Sequence, residues 1–227
     1  MDLWETWESQ SGRGCVKLDS FPAAQHHHLR RFQGSAARML EIGVLAGGSL
    51  EIWQRYLGPD ATIVGADISP MARASAPDFT VHIGDQADPE FLRRMVEESG
   101  PFDIVIDDGG HEMHQQITSF EVLYPLLNDN GVYIVEDTCT SYWDEFAGGV
   151  GEPGTFIEYA KGKVDELNAD FTPDIEAGDF TRSTTSVTFH QGMVAFEKIP
   201  NAPTQYLLCQ DGTLTRKGMR YQTGWVD

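Results

Sequence analysis

The segments VIDDGGH (residues 105–111) and YIVEDT (residues 133–138) determine the fold that we expect for this chain. Each is a run of β-favouring apolar residues that ends abruptly in acidic residues. In a parallel α/β sheet, ligands bind just outside the carboxyl ends of the strands. Two adjacent strand ends would therefore direct four carboxylates into one crevice: Asp107, Asp108, Glu136 and Asp137.

Carboxylates that lie so close together repel one another unless they are protonated or bridged by a cation. Hard oxygen ligands of this kind suit Mg²⁺, Ca²⁺ or Mn²⁺. His111 follows the first acidic pair and is a candidate general base beside such an ion. His114 is the reserve candidate, although we expect it to support the following helix. Together the two segments predict a metal-assisted enzyme site.

Strands and helices alternate along much of the chain. The patterns predict strands over residues 38–44, 62–67, 79–85, 102–106 and 132–135, and helices over residues 50–57, 88–99, 115–127 and 155–169. Gln191-Gly192 joins two further strands, 184–190 and 193–197, into an antiparallel hairpin. This order indicates an α/β fold with a mainly parallel twisted sheet and a C-terminal antiparallel hairpin.

The same patterns divide the chain into three parts. Residues 1–34 are expected to form an N-terminal helical segment that lines the substrate site, and residues 35–200 carry the alternating strands and helices. Residues 201–227 form a tail whose weaker pattern favours partly irregular structure. Residues 143–154 are a glycine-rich loop and a candidate lid.

Composition excludes several classes of function. The formal net charge is −19 over 227 residues, which argues against binding to nucleic acid or to anionic membranes. The three cysteines form no C-x-x-C pair, and Cys139 is expected to pack or to line the site because its surroundings are electronegative. The first residues lack the features of a signal peptide and no apolar run could span a membrane, so we expect a cytoplasmic protein.

Three consecutive histidines, residues 26–28, lie in a predicted amphipathic helix that continues to Phe32. Consecutive residues point in different directions around a helix, so they are poor partners for one metal ion. We therefore expect a mostly solvated helix, with a single histidine facing the substrate as the alternative.

The segment EIGVLAGGS (residues 41–49) follows the first predicted strand and turns sharply through its glycines. It resembles the glycine-rich first turn of class I S-adenosylmethionine-dependent methyltransferases. A dinucleotide-binding turn has the spacing G-x-G-x-x-G, which Gly43, Gly47 and Gly48 do not match. This mismatch disfavours an NAD site.

Polar residues also end the second and third predicted strands. Asp67 ends the second strand, where an acid can accept both ribose hydroxyls of an adenosine, in S-adenosylmethionine and NAD alike. Asp85 and Gln86 end the third strand, where their side chains can hydrogen-bond the edge of a base. Together with the turn, these ends predict a cofactor cleft.

The linked pattern of motifs is more specific than any one of them. The motifs, in chain order, are LEIG (40–43), GDQ (84–86), DDGGH (107–111), EDT through SYW (136–143), FIEY (156–159) and ELNA (166–169). This pattern resembles the metal-dependent sugar O-methyltransferases of antibiotic biosynthesis, typified by the macrolide mycinamicin and tylosin deoxysugar enzymes. Bacterial rhamnosyl O-methyltransferases and the cephalosporin-tailoring enzymes once called hydroxylases look related. The resemblance covers roughly residues 15–198 and implies the Rossmann-like class I methyltransferase fold.

The resemblance also implies cofactors and residue roles. S-adenosyl-L-methionine and Mg²⁺ (or Mn²⁺) are the implied cofactors, and His111 is the implied base that deprotonates the acceptor hydroxyl. The implied metal ligands are Asp108, Glu136 and Asp137. The residues expected to contact the organic cofactor are Glu41, Gly43, Gly47, Ser49, Asp67, Asp85, Gln86 and Asp108.

The acceptor pocket is the part of the site that can least be inferred from the resemblance. The macrolide enzymes are longer, and their N-terminal domain helps to assemble the oligomer and its site. Many relatives carry an aromatic residue in the stretch that corresponds to residues 21–28, where this chain has several histidines. A homo-oligomer is therefore an expectation that rests on the family alone.

Four functional hypotheses follow. The leading one is an S-adenosylmethionine- and metal-dependent O-methyltransferase that acts on a sugar or another vicinal diol in a natural product or glycan. The second keeps the metal site but takes a catechol or other phenol as acceptor. The third is an NAD-dependent oxidoreductase or epimerase, and the fourth is a scaffold without activity, which the intact acidic residues and His111 disfavour.

Overall fold

The computed structural model describes residues 2–220 and 224–225, and from residue 217 onward it describes the backbone alone. A seven-stranded sheet runs through its centre in the order β3-β2-β1-β4-β5-β7-β6. Its strands are β1 (Arg38–Ile42), β2 (Thr62–Asp67), β3 (Thr80–Ile83), β4 (Ile104–Asp107), β5 (Gly131–Val135), β6 (Thr184–His190) and β7 (Met193–Lys198). The first five strands are mutually parallel, whereas β7 pairs antiparallel with both β5 and β6.

Helices cover both faces of this sheet. They are α1 (Leu3–Glu8), α2 (Phe21–Leu29), α3 (Gly48–Leu57), α4 (Pro70–Ser75), α5 (Pro89–Ser99), α6 (Met113–Leu126), α7 (Phe156–Leu167) and α8 (Asp179–Ser183). One buried apolar cluster joins α1, α2, α3 and α4 to one face, and a second joins α5, α6 and α7 to the other. The chain thus forms three layers, which is the arrangement expected of strands that alternate with crossover helices.

Capping residues determine where several helices begin. Asp88 precedes α5 and its carboxylate accepts a hydrogen bond from the backbone N–H of Glu90, with Pro89 at the first helical position. Thr155 caps α7 in the same way, by accepting from the backbone N–H of Glu158. The sequence-based prediction of a helix over residues 88–99 is therefore confirmed.

The register of the parallel strands brings their carboxyl ends into line. Ile42 of β1 pairs with Asp107 of β4, and Asp107 pairs with Val135 of β5. The next residues continue this ladder, because the N–H of Asp108 donates to the carbonyl of Ile42 and the N–H of Glu136 donates to the carbonyl of Asp107. Asp108 and Glu136 therefore leave the sheet side by side.

The predicted α/β fold, with its mainly parallel sheet and closing antiparallel hairpin, is confirmed. The short helices α1, α4 and α8 were not predicted, because fewer than two helical turns give almost no apolar periodicity. The tail is partly irregular, as expected, over residues 201–204, whereas residues 205–220 form an antiparallel pair of strands that was not predicted, β8 (Gln205–Gln210) and β9 (Thr213–Arg220). A short strand, β10 (Gly224–Trp225), joins them, and residues 221–223 and 226–227 of the predicted tail lie outside the described residues.

Among the helices of residues 2–220, none is long and apolar enough to span a membrane.

Gly43 gives a direct test of this arrangement. Its φ is +89°, and a Cβ at this position would collide with the backbone carbonyl of Asp108. Since both backbone strain and steric overlap would be introduced, Gly43→Ala should reduce the free energy of unfolding by about 2–5 kcal/mol, measured by urea denaturation. Gly162 lies inside α7 with open space around it, so the control Gly162→Ala should be neutral or stabilise by about 0.5–1 kcal/mol. Equal stabilities for the two variants would contradict the tight contact at Gly43.

Candidate active site

An acidic crevice lies at the carboxyl ends of β4 and β5. Asp108, His111 and Asp137 meet there, with one possible ligand atom from each within 4.8 Å of the others. The His111 Nε2 atom is 3.6 Å from an oxygen of Asp137 and 4.0 Å from an oxygen of Asp108. All three side chains are partly exposed, so an ion or a substrate can reach them from solvent. The predicted convergence of the loops after two strands is therefore present.

Lys17 enters the same crevice from the N-terminal segment. Its Nζ atom lies 2.5 Å from Asp108 Oδ2, 2.7 Å from Glu136 Oε2 and 3.3 Å from Glu41 Oε1. The side chain is only 3% exposed. Burial alone would lower the pKa of Lys17, but the three carboxylates outweigh it and raise that pKa well above its ordinary value. The lysine is therefore a buried cation bound to three acids.

Glu136 lies deeper than Asp108 and Asp137. Its carboxylate is fully buried, and Oε1 accepts a 2.6 Å hydrogen bond from the buried amide of Gln25 in α2. Its other oxygen accepts from Lys17. Burial raises the pKa of Glu136 to about 8, although Lys17 opposes the shift. Of the three predicted metal ligands, Glu136 is thus the one whose two oxygens are already paired.

Asp107 does not join the crevice, and the expectation that it would do so is wrong. Side chains alternate across a strand, so Asp107 and the following Asp108 point to opposite faces of the sheet. Asp107 is buried on the α6 side, where it accepts hydrogen bonds from Gln86 at 3.0 Å, Tyr133 at 3.3 Å and Ser119. Asp107 therefore supports the loop after β4 indirectly, through Gln86, which also bonds to the N–H of Gly110.

Two residues of the crevice have left-handed backbones. The φ angles are +58° at His111 and +50° at Asp137, a region that non-glycine residues seldom adopt and that costs of order 1–3 kcal/mol when it is strained. The buried Nδ1 atom of His111 has no hydrogen-bond partner among the described residues. Strained residues and an unpaired buried polar atom are features that recur where proteins bind ligands.

A cleft adjoins the acidic crevice through the loop at residues 108–110. Four of the predicted cofactor residues line it, namely Gly43, Asp67, Asp85 and Gln86. Asp67 already accepts hydrogen bonds from the backbone N–H groups of Val44 and Leu45 at one oxygen and of Ser69 at the other. Gln86 is likewise bonded to Asp107 and to the N–H of Gly110, so its amide holds the loop in place.

The other predicted cofactor residues lie elsewhere in the structure. Glu41 and Ser49 are buried and hydrogen-bonded to each other at 2.5 Å behind the glycine turn. Gly47 precedes α3 with a φ of +81° and approaches Ala76. Asp108 belongs to the acidic crevice. Gly43 and residues at the ends of β2 and β3 thus line the cleft, whereas the side chains of Glu41 and Ser49 are buried and do not line it.

The three histidines have three different environments. His27 is exposed, as expected for a solvated helix. His26 Nδ1 lies 2.8 Å from the Tyr56 hydroxyl. His28 is buried, and its ring contacts Glu197 at 2.7 Å and His190 at 3.0 Å. The expectation of a mostly solvated helix is therefore wrong at His28, because α2 packs against β7 and its polar side chain meets polar partners there.

Two further predicted positions flank the crevice. His114 is exposed at the start of α6 and is not part of the acidic group. Cys139 is half-buried, and burial together with the charge of Asp137 raises its pKa, which fits a packing role. Trp143, the first residue of the candidate lid, and Tyr142 just before it each expose about half of the side chain.

Sequence reasoning missed Lys17. It stands in a polar stretch between α1 and α2, and nothing in its neighbours distinguishes it from a solvated lysine. Its only signal was indirect, since four clustered acids require a cation and the chain has 16 Lys and Arg against 35 Asp and Glu.

Comparison with known proteins identifies relatives over most of the chain, although no family model matches it. The chain is 39% identical over 165 residues to L-olivosyl-oleandolide 3-O-methyltransferase of Streptomyces antibioticus, covering 68% of this chain and 42% of that protein. It is 35% identical over 196 residues to 8-demethyl-8-alpha-L-rhamnosyl tetracenomycin-C 2'-O-methyltransferase of Streptomyces olivaceus, covering 82% and 52%. The chain spans about half the length of these curated relatives.

A solved structure shows the same similarity in three dimensions. The MycE methyltransferase of the mycinamycin biosynthetic pathway, in complex with Mg, SAH and mycinamycin VI, superposes with a TM-score of 0.78 and 31% identity. The match covers 88% of this chain and 54% of that one. These relatives, together with the matching seven-stranded sheet, show that the chain belongs to the family of class I O-methyltransferases that includes these antibiotic sugar O-methyltransferases.

Proposed function

We propose that this chain is an S-adenosylmethionine- and divalent-metal-dependent O-methyltransferase that acts on a hydroxyl of a sugar or another vicinal diol. The observation that carries the proposal is the meeting of Asp108, Asp137 and His111 in a crevice whose loop, through Gly109 and Gly110, also lines the predicted cofactor cleft. The relatives are named for methyl transfer to sugars of antibiotics, which makes a glycoside of a natural product the favoured acceptor.

The cleft supports S-adenosylmethionine as methyl donor. Asp67 ends β2 with a carboxylate at the cleft wall, where it would accept the ribose hydroxyls in addition to its backbone partners. Asp85 would contact the adenine edge, while Gly43 lets the backbone of β1 come close to the ligand. Gln86 would act mainly by fixing the loop through Gly110.

The crevice fits a hard divalent cation. Asp108 and Asp137 supply carboxylate oxygens, which Mg²⁺ and Mn²⁺ prefer, and solvent can complete the coordination shell. Glu136 would be the third ligand, through the oxygen that accepts the hydrogen bond from Lys17. When bound, the ion would lower the pKa of an acceptor hydroxyl, and the methyl donor would supply the methyl group.

His111 would accept the proton from that hydroxyl. Its Nε2 atom faces the crevice between Asp108 and Asp137, so the imidazole lies beside the position where the acceptor must bind. Thr140 holds the loop of His111 by donating a 3.0 Å hydrogen bond from its hydroxyl to the His111 carbonyl. A base whose backbone is held in this way can remove a proton without reorganising the loop.

Metal removal tests the role of the carboxylates. Methyl transfer to a glycoside with vicinal hydroxyls should stop in EDTA and return with Mg²⁺ or Mn²⁺, because the acceptor then regains its activating cation. Asp137→Asn tolerates the left-handed backbone at this position and should remove activity while keeping the fold. Asp60→Asn, in the exposed turn before β2, is the matched control. Full turnover after exhaustive chelation would exclude a metal-dependent mechanism, and preference for a free catechol over the glycoside would reassign the acceptor.

The cofactor assignment predicts a loss of affinity on substitution of Asp67. Asp67→Ala should weaken S-adenosylmethionine binding by about 1.5–3 kcal/mol, measured by calorimetry, because charge-assisted hydrogen bonds to the ribose disappear. Asp85→Ala should cost less, since a base edge offers neutral partners. Thermal shifts with S-adenosylhomocysteine but not with NAD are the accompanying control. Unchanged affinity in Asp67→Ala would show that this carboxylate does not hold the ribose.

The proposed base predicts a specific kinetic defect. His111→Ala and His111→Asn should each lower kcat by roughly 10²–10⁴ while metal and cofactor binding stay close to wild type. Asn tolerates the positive φ better than Ala, so agreement between the two variants separates lost chemistry from a distorted loop. His114→Ala should retain the wild-type kcat, and a near-normal kcat in His111→Asn would rule out His111 as the base.

A further inference from the structure

Lys17 binds the same oxygens that a divalent ion would need. Asp108 Oδ2 and Glu136 Oε2 both lie within 2.7 Å of its ammonium nitrogen, and both residues belong to the proposed ligand set. Asp108 presents its other oxygen to the His111 side of the crevice. Asp108 therefore stands between two positions, one filled by the lysine and one open beside His111 and Asp137.

The lysine is delivered by a firmly attached segment. Glu51 of α3 accepts hydrogen bonds from the backbone N–H and the guanidinium of Arg13 and from the amide of Gln10. The backbone carbonyls of Arg13 and Gly14 also lie so close to Gly48 that any Cβ at this position would collide with them. Residues 10–14 are thus fixed on the first turn of α3, and the long side chain of Lys17, three residues further on, reaches the crevice from this fixed segment.

We propose that Lys17 is an internal competitor of the divalent ion: its ammonium neutralises Asp108 and Glu136 in the metal-free protein and withdraws when the ion binds. The inference rests on the proposed metal site. A lysine ammonium and a divalent cation cannot bind the same two carboxylate oxygens at once, because the two positive charges would then lie in contact and repel each other. The chain would thereby keep its clustered acids paired before the metal arrives.

Binding of Mn²⁺ to the metal-free protein, followed by electron paramagnetic resonance, tests the competition. Lys17→Met should tighten Mn²⁺ binding by roughly tenfold, the factor expected when the metal-competent arrangement is populated to about one tenth. It should also lower the melting temperature without metal and enlarge the rise that Mg²⁺ produces, because the unpaired carboxylates then depend on the ion. Lys17→Arg keeps the charge and should not tighten binding.

Arg13→Met is the matched control for a loosened segment. It removes the other cation of residues 10–17 and its ion pairs with Glu51 and Asp78, but it leaves the ammonium of Lys17 in place. It should destabilise the protein without tightening Mn²⁺ binding. Equal or weaker Mn²⁺ binding in Lys17→Met would overturn the competition. Wild-type protein that binds no Mn²⁺ would instead overturn the metal site on which the inference rests.

Amine labelling of the wild-type protein gives a readout that needs no variant. Lys17 should resist an acylating reagent without metal and become reactive in saturating Mg²⁺, as measured by mass spectrometry. Lys198, whose ammonium donates to the carbonyls of Pro125 and Leu127, should stay protected in both states, and the exposed Lys161 should react in both. Continued protection of Lys17 in saturating Mg²⁺ would show that the lysine does not withdraw.

Discussion

The parallel register of β1, β4 and β5 forces carboxylates together, and the need to neutralise them governs the rest of the crevice. Ile42, Asp107 and Val135 lie in one row, so the acids that follow the strands emerge as neighbours. Two unit charges 4 Å apart repel by about 4 kcal/mol at an effective dielectric constant of 20. A cluster of this kind requires a cation, and Lys17 supplies it within the chain.

Polar contacts also attach the first 34 residues to the sheet. Gln25 of α2 donates to Glu136, while His28 and Arg31 both contact Glu197 of β7. Together with Lys17, these contacts attach the N-terminal segment to the ends of β4 and β5 and to the antiparallel strand beside them. The segment is therefore part of the site's construction, and a change in its position would alter the charge balance of the crevice.

The sequence allowed the strands and their acidic ends to be predicted because both are local patterns. A run of β-favouring residues followed by Asp108 or Glu136 can be read without knowing the partner strand. Asp107 was misplaced because the alternation of side chains across β4 was not applied to two consecutive acids. Lys17, Gln25 and His28 could not be assigned, since each acts through a residue more than 90 positions away and the nearby sequence contains no trace of it.

The remaining constraint is conformational. Left-handed backbones at His111 and Asp137 turn both side chains toward each other across two loops, at a cost that the surrounding structure must offset. Thr140 lies where it can do so, because its buried hydroxyl is 3.0 Å from the carbonyl of His111 and 3.1 Å from that of Asp137. One side chain thus holds the proposed base and a proposed metal ligand in their strained positions. The backbone strain and the electrostatic repulsion involve the same few residues. A bound cation would therefore relieve the repulsion, while the backbone would keep the carboxylates in the arrangement that binds the cation.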